Sequence, residues 1–235
     1  MTSFNGIVEL GGLYFDGVAQ PRATRPWLVD LDVLKPYDGL EPGNIARFDR
    51  APDWSRWHIG DTPVEPSCRL RWVDIERHGK RLLICDRVIL VYISWHDLDG
   101  NGFVNGSKVT IDQESFQCRL MSGGSDFRAG EDGYSAGIPH DNEWDLFVAG
   151  GKVLQGLPVP ISTDLDDDLN ETDRLSHHNR YWNWFGTVSW TAIPYARKET
   201  ARVCRGYRAA QYFYLNTFNH RHEDIGWRPV LEREA

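Results

Sequence analysis

Cys68-Arg69-Leu70-Arg71-Trp72-Val73-Asp74-Ile75, a polar turn at His78-Gly79-Lys80, and Arg81-Leu82-Leu83-Ile84-Cys85 form the stretch that decides how this chain is built. Apolar and polar residues change places at nearly every second position and several are β-branched, the pattern of strands whose side chains alternate between two faces. Two such runs separated by a glycine-containing turn read as a hairpin. Val88-Ile89-Leu90-Val91-Tyr92-Ile93 follows without a polar interruption, so a more fully buried strand is expected after it.

Toward the C-terminus, Ser94-Trp95-His96-Asp97-Leu98 opens on a hydroxyl that can cap a short helix. Residues 106–112 and 115–120 give a second hairpin turning near Gln113. After a glycine-rich stretch over 121–140, Asn142-Glu143-Trp144-Asp145-Leu146-Phe147-Val148-Ala149 has helical spacing, with Trp144, Phe147 and Val148 on one side and Gly150-Gly151 to stop it. The acidic run 162–173 holds too few apolar residues to enter a core and is expected to be exposed. Residues 182–190, 201–205 and 226–232 read as short strands between loops.

Toward the N-terminus, residues 1–60 carry Gly, Pro and Asp at close intervals, with short apolar bursts at Gly6-Ile7-Val8-Glu9-Leu10 and Trp27-Leu28-Val29-Asp30-Leu31. This is strand-and-loop sequence. The fold class that follows is α+β: short antiparallel strands, one or two short helices and long loops. A β-rich N-terminal region over 1–90, for attachment or oligomerisation and able to be continuous with the rest, precedes a ligand-binding domain over 91–235.

Composition narrows the function classes. A chain of 235 residues, 41% hydrophobic and 26% charged, sits in the globular range. Its net charge of -8, with scattered Lys and Arg, is no footprint for nucleic acid. The start lacks a basic segment followed by an apolar run and a small-residue cleavage site, and no stretch reaches a bilayer's width, so neither a signal peptide nor membrane insertion is expected. Ten Trp, 10 Phe and 9 Tyr point to a core of aromatic wedges or an aromatic contact surface. The four cysteines, Cys68, Cys85, Cys118 and Cys204, have no metal-binding or disulfide-framework spacing and read as buried thiols.

The order of short signatures carries a resemblance. Phe116-Gln117-Cys118-Arg119-Leu120 is followed by Asn142-Glu143-Trp144-Asp145, by Trp182-Asn183-Trp184 with Ser189-Trp190, by Arg202-Val203-Cys204-Arg205-Gly206, and by Ile225-Gly226-Trp227-Arg228. Over roughly residues 90–232 this resembles the formylglycine-generating-enzyme-like branch of the C-type lectin fold. It also looks like the subset of such domains in phage and prophage tail or receptor-binding proteins, some diversified by retroelements, which often finish as Gly226 to Glu232 do here. Read from their own chemistry, Trp144, Trp184, Trp190 and Trp227 are large enough to fill a core. Arg119, Arg205 and Arg228 can satisfy loop carbonyls or pair with Glu143.

Catalytic chemistry finds little support. The oxygen-using enzymes of the resembled superfamily hold copper with a cysteine pair after the Arg-Gly strand, and residues 207–224 contain no cysteine, so the reaction does not transfer with the resemblance. Asp97-Leu98-Asp99-Gly100-Asn101-Gly102 matches the first half of a calcium loop, but its twelfth position is Lys108, where a carboxylate is required. His177-His178 with His220 and His222 leaves a metal-dependent oxidase or hydrolase as an alternative, and solvated loop histidines as the plainer one. No cofactor is expected.

What remains is the segment 207–224, read as a loop between strands. Tyr, Asn and His offer contact area and directional hydrogen bonds at small entropic cost, as in paratopes. In the diversified relatives this segment carries the ligand-contacting positions, so the resemblance implies a ligand-binding set of Tyr207, Tyr212, Tyr214, Asn216, Phe218, Asn219, His220 and His222. The reading of the residues alone leaves open that Tyr212 and Tyr214 turn inward as core. The expectation is a non-enzymatic tail-associated protein of the virion, assembled in the host cytoplasm as a homotrimer with other tail proteins. It attaches to a host cell-surface saccharide or protein; a purely structural virion component is the further alternative.

Overall fold

The computed structural model describes residues 2–23, 45–166 and 176–234. The expected burst at residues 27–31 and the greater part of the acidic run, 167–173, lie outside the described residues.

The hairpin that opened the sequence reading is present as β5 (Arg69–Arg77) and β6 (Lys80–Cys85), antiparallel with Arg77 opposite Lys80. Its two turn residues, His78 and Gly79, have φ of 55° and 75°, the pair of positive values that matches a tight turn to the twist of its strands. The second hairpin, β8 (Ser107–Ile111) and β9 (Glu114–Leu120), turns the same way through Asp112 and Gln113. These four join β1 (Thr2–Phe15), β2 (Val18–Ala19), β4 (Trp57–Gly60) and β16 (Pro229–Glu234) in an eight-stranded antiparallel sheet ordered β2-β1-β5-β6-β16-β9-β8, with β4 paired to β1. The last strand of the chain therefore lies between β6 and β9.

A second, six-stranded sheet runs β14-β13-β12-β15-β7-β3. Its members are β3 (Ala46–Arg47), β7 (Leu90–Val91), β12 (Val188–Pro194), β13 (Ala201–Gly206), β14 (Phe213–Thr217) and β15 (Ile225–Trp227). Two of its contacts, β12 with β15 and β3 with β7, are parallel. Strands from the first 90 residues thus contribute to both sheets. A small hairpin, β10 (Asp126–Phe127) with β11 (Gly137–Ile138), stands apart.

These sheets correct the α+β, lectin-type expectation. Strand occupies 41% of the described residues and helix 17%, arranged as two curled sheets with few helices. The reason is local. The helical spacing over 142–149 yields only a π-helical turn, Trp144–Val148, before the glycines end it. Conversely, the inter-strand loop expected over 207–224 contains a true strand, β14. The expected strand at 182–190 begins only at Val188, because residues up to Trp182 belong to helix α2 (His177–Trp182), which Asn183 closes in a left-handed conformation at φ 49°.

The large sheet is covered on both faces, and its alternation sorts side chains between two cores. Trp72, Leu83, Cys85, Cys118 and Leu231 point toward the six-stranded sheet and meet Trp190, Cys204, Ile225 and Trp227. Val73, Ile75, Leu82, Ile84 and Val230 point the other way, onto Trp144, Phe147 and Val148 of the π-helical turn and Trp182 and Trp184 around α2. The four tryptophans singled out in the sequence are all fully buried. The four cysteines are buried too, Cys85, Cys118 and Cys204 completely, and none is in a disulfide. Gly226 makes the seam between β15 and β7 possible, since a Cβ there would sit 2.2 Å from the Leu90 carbonyl oxygen.

Buried arginines join the loops to this frame. Arg228 donates to Ser189 Oγ (3.0 Å) and to the carbonyls of Trp182 (2.7 Å) and Asn183 (3.0 Å), and burial without a bonded carboxylate lowers its pKa to about 10. Burial works against the charge of Arg119 too, but the carboxylates of Glu143 and Glu232 outweigh it and raise its pKa. Both arginines act as the sequence chemistry suggested.

Candidate functional site: the β14 edge and an adjoining cavity

Among the described residues, strand β14 is an outer strand of the six-stranded sheet, paired on one side only, with β13. Its side chains alternate. Phe213 and Leu215, opposite Arg205 and Val203, pack into a cluster with Tyr195 and Phe127. Tyr214 and Asn216, opposite Cys204 and Arg202, lie on the other face. There Asn216 Nδ2 reaches Cys204 Sγ at 3.9 Å, while Tyr214 is 45% exposed. Among the described residues, the other large apolar side chains left exposed are aliphatic.

Tyr214 belongs to a row of rings. It stacks on Tyr212 with centroids 6.1 Å apart and planes 19° apart, and Tyr212 in turn meets Tyr134 at 4.8 Å. The Arg208 guanidinium lies 5.9 Å from the Tyr212 centroid. Gly133 allows this approach, because a Cβ there would come within 2.8 Å of the Tyr212 ring. The row ends at a cavity of about 360 Å³ whose walls include Arg128, Tyr134, Ser135, His140, Asp145 and Gln211.

The cavity wall is electrostatically braced. Asp145 projects from the π-helical turn and accepts from Arg205, from Arg128 (3.0 Å), from the Gly137 N–H (3.1 Å) and from Asn142 Nδ2 (2.7 Å). Arg205, completely buried, sends its remaining donors to the carbonyls of Gly123 (2.6 Å), Gln211 (2.9 Å) and Tyr212 (3.2 Å). Burial lowers the pKa of Arg205, with Asp145 opposing. Local π-helical turns and positive-φ residues gather at functional sites, and Ala136 on this wall has φ 67°.

The rest of the expected set lies beyond the far end of β14. Phe218 is half-buried, edge-on to His96 at 5.9 Å, with the Arg202 guanidinium 5.7 Å from its centroid. His220 and His222 stack at 6.0 Å, and His222 Nδ1 is 2.7 Å from Asp224. Asn219 is exposed. Backbone bonds hold this turn: the His96 N–H donates to the Phe218 carbonyl (2.9 Å) and the Tyr92 N–H to that of His222 (3.0 Å). Arg221 adds a two-pronged bond to Asp97 (2.9 and 2.6 Å), whose carboxylate also closes the capping box with Ser94 on helix α1 (Trp95–Gly100). Burial opposes the Asp97 charge, but Arg221 and Ser94 hold its pKa below the usual carboxylate range. The half-match to a calcium loop is thus a capped helix whose first carboxylate is already engaged. Tyr207, with φ 92°, is half-buried and packs on the main core at the turn leaving β13.

The four histidines weighed as metal ligands are not brought together. His178, expected in a solvated loop, is buried in α2, where its Nδ1 accepts from Trp184 Nε1 at 2.9 Å and burial lowers its pKa to about 4. Among the described residues, no three His, Cys, Asp or Glu side chains converge as a metal site. Asp164 of the acidic run is buried and its backbone carbonyl accepts from the Ala210 N–H (2.7 Å), contrary to the expected exposure of that run; Asp166 is exposed. No helix among the described residues is long and apolar enough to cross a membrane.

Comparison with known protein families, curated proteins and solved structures finds no match to this chain. Tyr134, Gln211, Arg128 and Asp145 were not among the residues expected at a site. Gln211 fell inside the expected segment and Asp145 inside a recognised signature, but only the fold brings them to one wall.

Proposed function

We propose that this chain is a non-enzymatic binding protein that engages a host cell-surface saccharide or protein through the β14 edge and the turn after it. The observation that carries this reading is the row Tyr134, Tyr212 and Tyr214, which runs from a polar-walled cavity to an exposed ring on a braced strand. Rings fixed by packing lose little entropy on contact and offer both an apolar face and a hydroxyl. Preorganisation of this kind favours binding.

The setting we propose is a phage or prophage tail, on the strength of the resemblance carried by Gly226 to Glu232. There, assembly as a homotrimer with other tail proteins multiplies weak contacts by avidity. The test is an array of bacterial surface polysaccharides and surface proteins probed with the purified chain and with Tyr212→Ala and Tyr214→Ala. Retention on a subset of probes, weakened about tenfold by each substitution, supports the reading; tenfold corresponds to about 1.4 kcal/mol, the scale of one aromatic contact. Retention equal for all three proteins, or on no probe at all, rejects it.

A further inference from the structure

The wall of the cavity beside the tyrosine row carries a guanidinium that the fold does not use up. Arg128 Nη2 donates to Asp145 Oδ2 (3.0 Å) and to the Gly137 carbonyl (3.3 Å), and Nε reaches the same carbonyl at 3.4 Å. The Nε–Nη2 edge of the plane is therefore turned to the wall. Nη1 lies off that edge, and no acceptor among the described residues meets it. The side chain is 35% exposed and lines the cavity, so a ligand can reach it there.

The charge around Arg128 is unbalanced. Asp145 is the one carboxylate among the described residues of the wall, and it serves Arg205 as well as Arg128, with the Gly137 N–H and Asn142 Nδ2 as further donors. Two cations thus share one anion. Burial lowers the pKa of Arg205, Asp145 opposes that, and the charge on Arg128 adds to the lowering. A second anion at Nη1 would gain a charge-assisted hydrogen bond and offset the repulsion between the two guanidiniums. Glu131, Asp132, Asp141 and Asp166 stand exposed on the same segments but form no part of the wall. Salt screens such exposed charges, and what remains of them disfavours a ligand with several negative charges over a ligand with one.

The rest of the wall suits a sugar. Space of about 360 Å³ holds a whole sugar ring, whereas an aspartyl or glutamyl side chain of a protein would leave most of it empty. The Tyr134 ring offers an apolar face for ring C–H groups, and exposed His140 offers a ring nitrogen to a hydroxyl.

We infer that this cavity is the subsite for a sugar residue bearing one carboxylate, a hexuronate or a sialic acid, whose carboxylate accepts from Arg128 Nη1 and whose ring lies against Tyr134. The adjoining sugars of the chain then extend along Tyr212 and Tyr214. This rests on the proposed saccharide-binding role and adds to it the charge of the ligand and the place where that charge is held.

The experiment is an NMR titration of the full chain with three acids, methyl glucuronide, methyl galacturonide and N-acetylneuraminate, each beside its neutral methyl ester. Acetate and N-acetylglutamate amide serve as carboxylates without a sugar, and polysaccharide retention is measured in parallel. The inference expects at least one acid to bind, with its ester and both sugar-free carboxylates at least about tenfold weaker. That acid should shift the backbone amides of residues 128–140 in the unaltered chain, and Arg128→Gln should weaken it by about tenfold while changing the ester by less than about twofold. Thermal melting checks that the variant folds; if it does not, the ester comparison and the amide shifts decide. Binding of none of the acids, an ester that binds as well as its acid, shifts only outside residues 128–140, or a folded Arg128→Gln that binds unchanged overturns the assignment. So does acetate or N-acetylglutamate amide binding as tightly as the sugar, which would mark a bare carboxylate or an acidic peptide as the ligand. If polysaccharide retention still depends on Tyr212 and Tyr214 in that case, the wider reading survives; if it does not, both fall together.

Discussion

Replacing Asp145 by Asn should be among the most destabilising isosteric changes in this protein. The carboxylate is buried and receives four donors, two of them guanidiniums, and its partner Arg205 is wholly excluded from water. The amide keeps the shape but removes the charge, and its NH2 replaces one acceptor oxygen, so at least one of those donors is left unmet. Breaking a buried pair from one side costs about 3–5 kcal/mol, because the remaining charge stays in a low-dielectric site uncompensated. For a chain of this size, each kcal/mol lowers Tm by roughly 2–4 °C, so a drop of about 6–20 °C is expected. Urea unfolding of wild type, Asp145→Asn, Arg205→Met and the double variant measures it. The double variant should be more stable than the summed single losses imply, by about 0.5–3 kcal/mol, since it leaves no orphaned charge in the core and Arg128, about a third exposed, can turn to water. A loss under about 1 kcal/mol for Asp145→Asn, or strict additivity, would refute the bracing role of this pair.

His178 sets a pH dependence. Its folded pKa of about 4 lies below the ordinary 6.5, so above pH 6.5 the ring is neutral in both states and contributes nothing. As pH falls from 6.5 to 4, the unfolded chain takes up a proton that the fold refuses, and stability falls progressively, by a few kcal/mol in all at about 1.4 kcal/mol per pH unit. His178→Gln should remove that share of the acid destabilisation, seen as a smaller difference between urea midpoints at pH 7.5 and pH 4.5; an unchanged difference contradicts it. Gly226→Ala forces a Cβ to within 2.2 Å of the Leu90 carbonyl oxygen and should cost about 3 kcal/mol or more, with β7 and β15 amides losing hydrogen-exchange protection first. Arg221→Ala releases the clamp on Asp97 and should speed amide exchange across residues 218–224 with less than about 1 kcal/mol lost overall, as suits a partly exposed pair.

Sequence legibility followed a physical divide. Both hairpins could be read because period-2 alternation and the turn residues speak to the same structure, and the Ser94 cap could be read because its capping box is local. The π-helical turn was legible as one helical face but not as a π-helix, since three buried positions fit either geometry. Strand β14 escaped because Tyr212-Phe213-Tyr214-Leu215-Asn216 has no polar-apolar alternation: one face packs on Tyr195 and Phe127, and the other carries amphipathic rings. His178 escaped because two adjacent histidines read as polar, whereas α2 turns the second toward Trp184. The cavity could not be read at all. Its walls come from residues near 128–140, from the π-helical turn and from Gln211, and no local pattern joins them. The one faint signal was Gly133 beside Tyr134, a glycine whose need appears only once the Tyr212 ring lies against it.

Hydrogen exchange of the chain, with and without a polysaccharide that it retains, tests the central claim most directly. The account predicts slowed exchange over residues 128–136 and 207–224 and unchanged exchange along β1 and β2. Protection confined to β1, β2 or β8, with the tyrosine row unaffected, would contradict it.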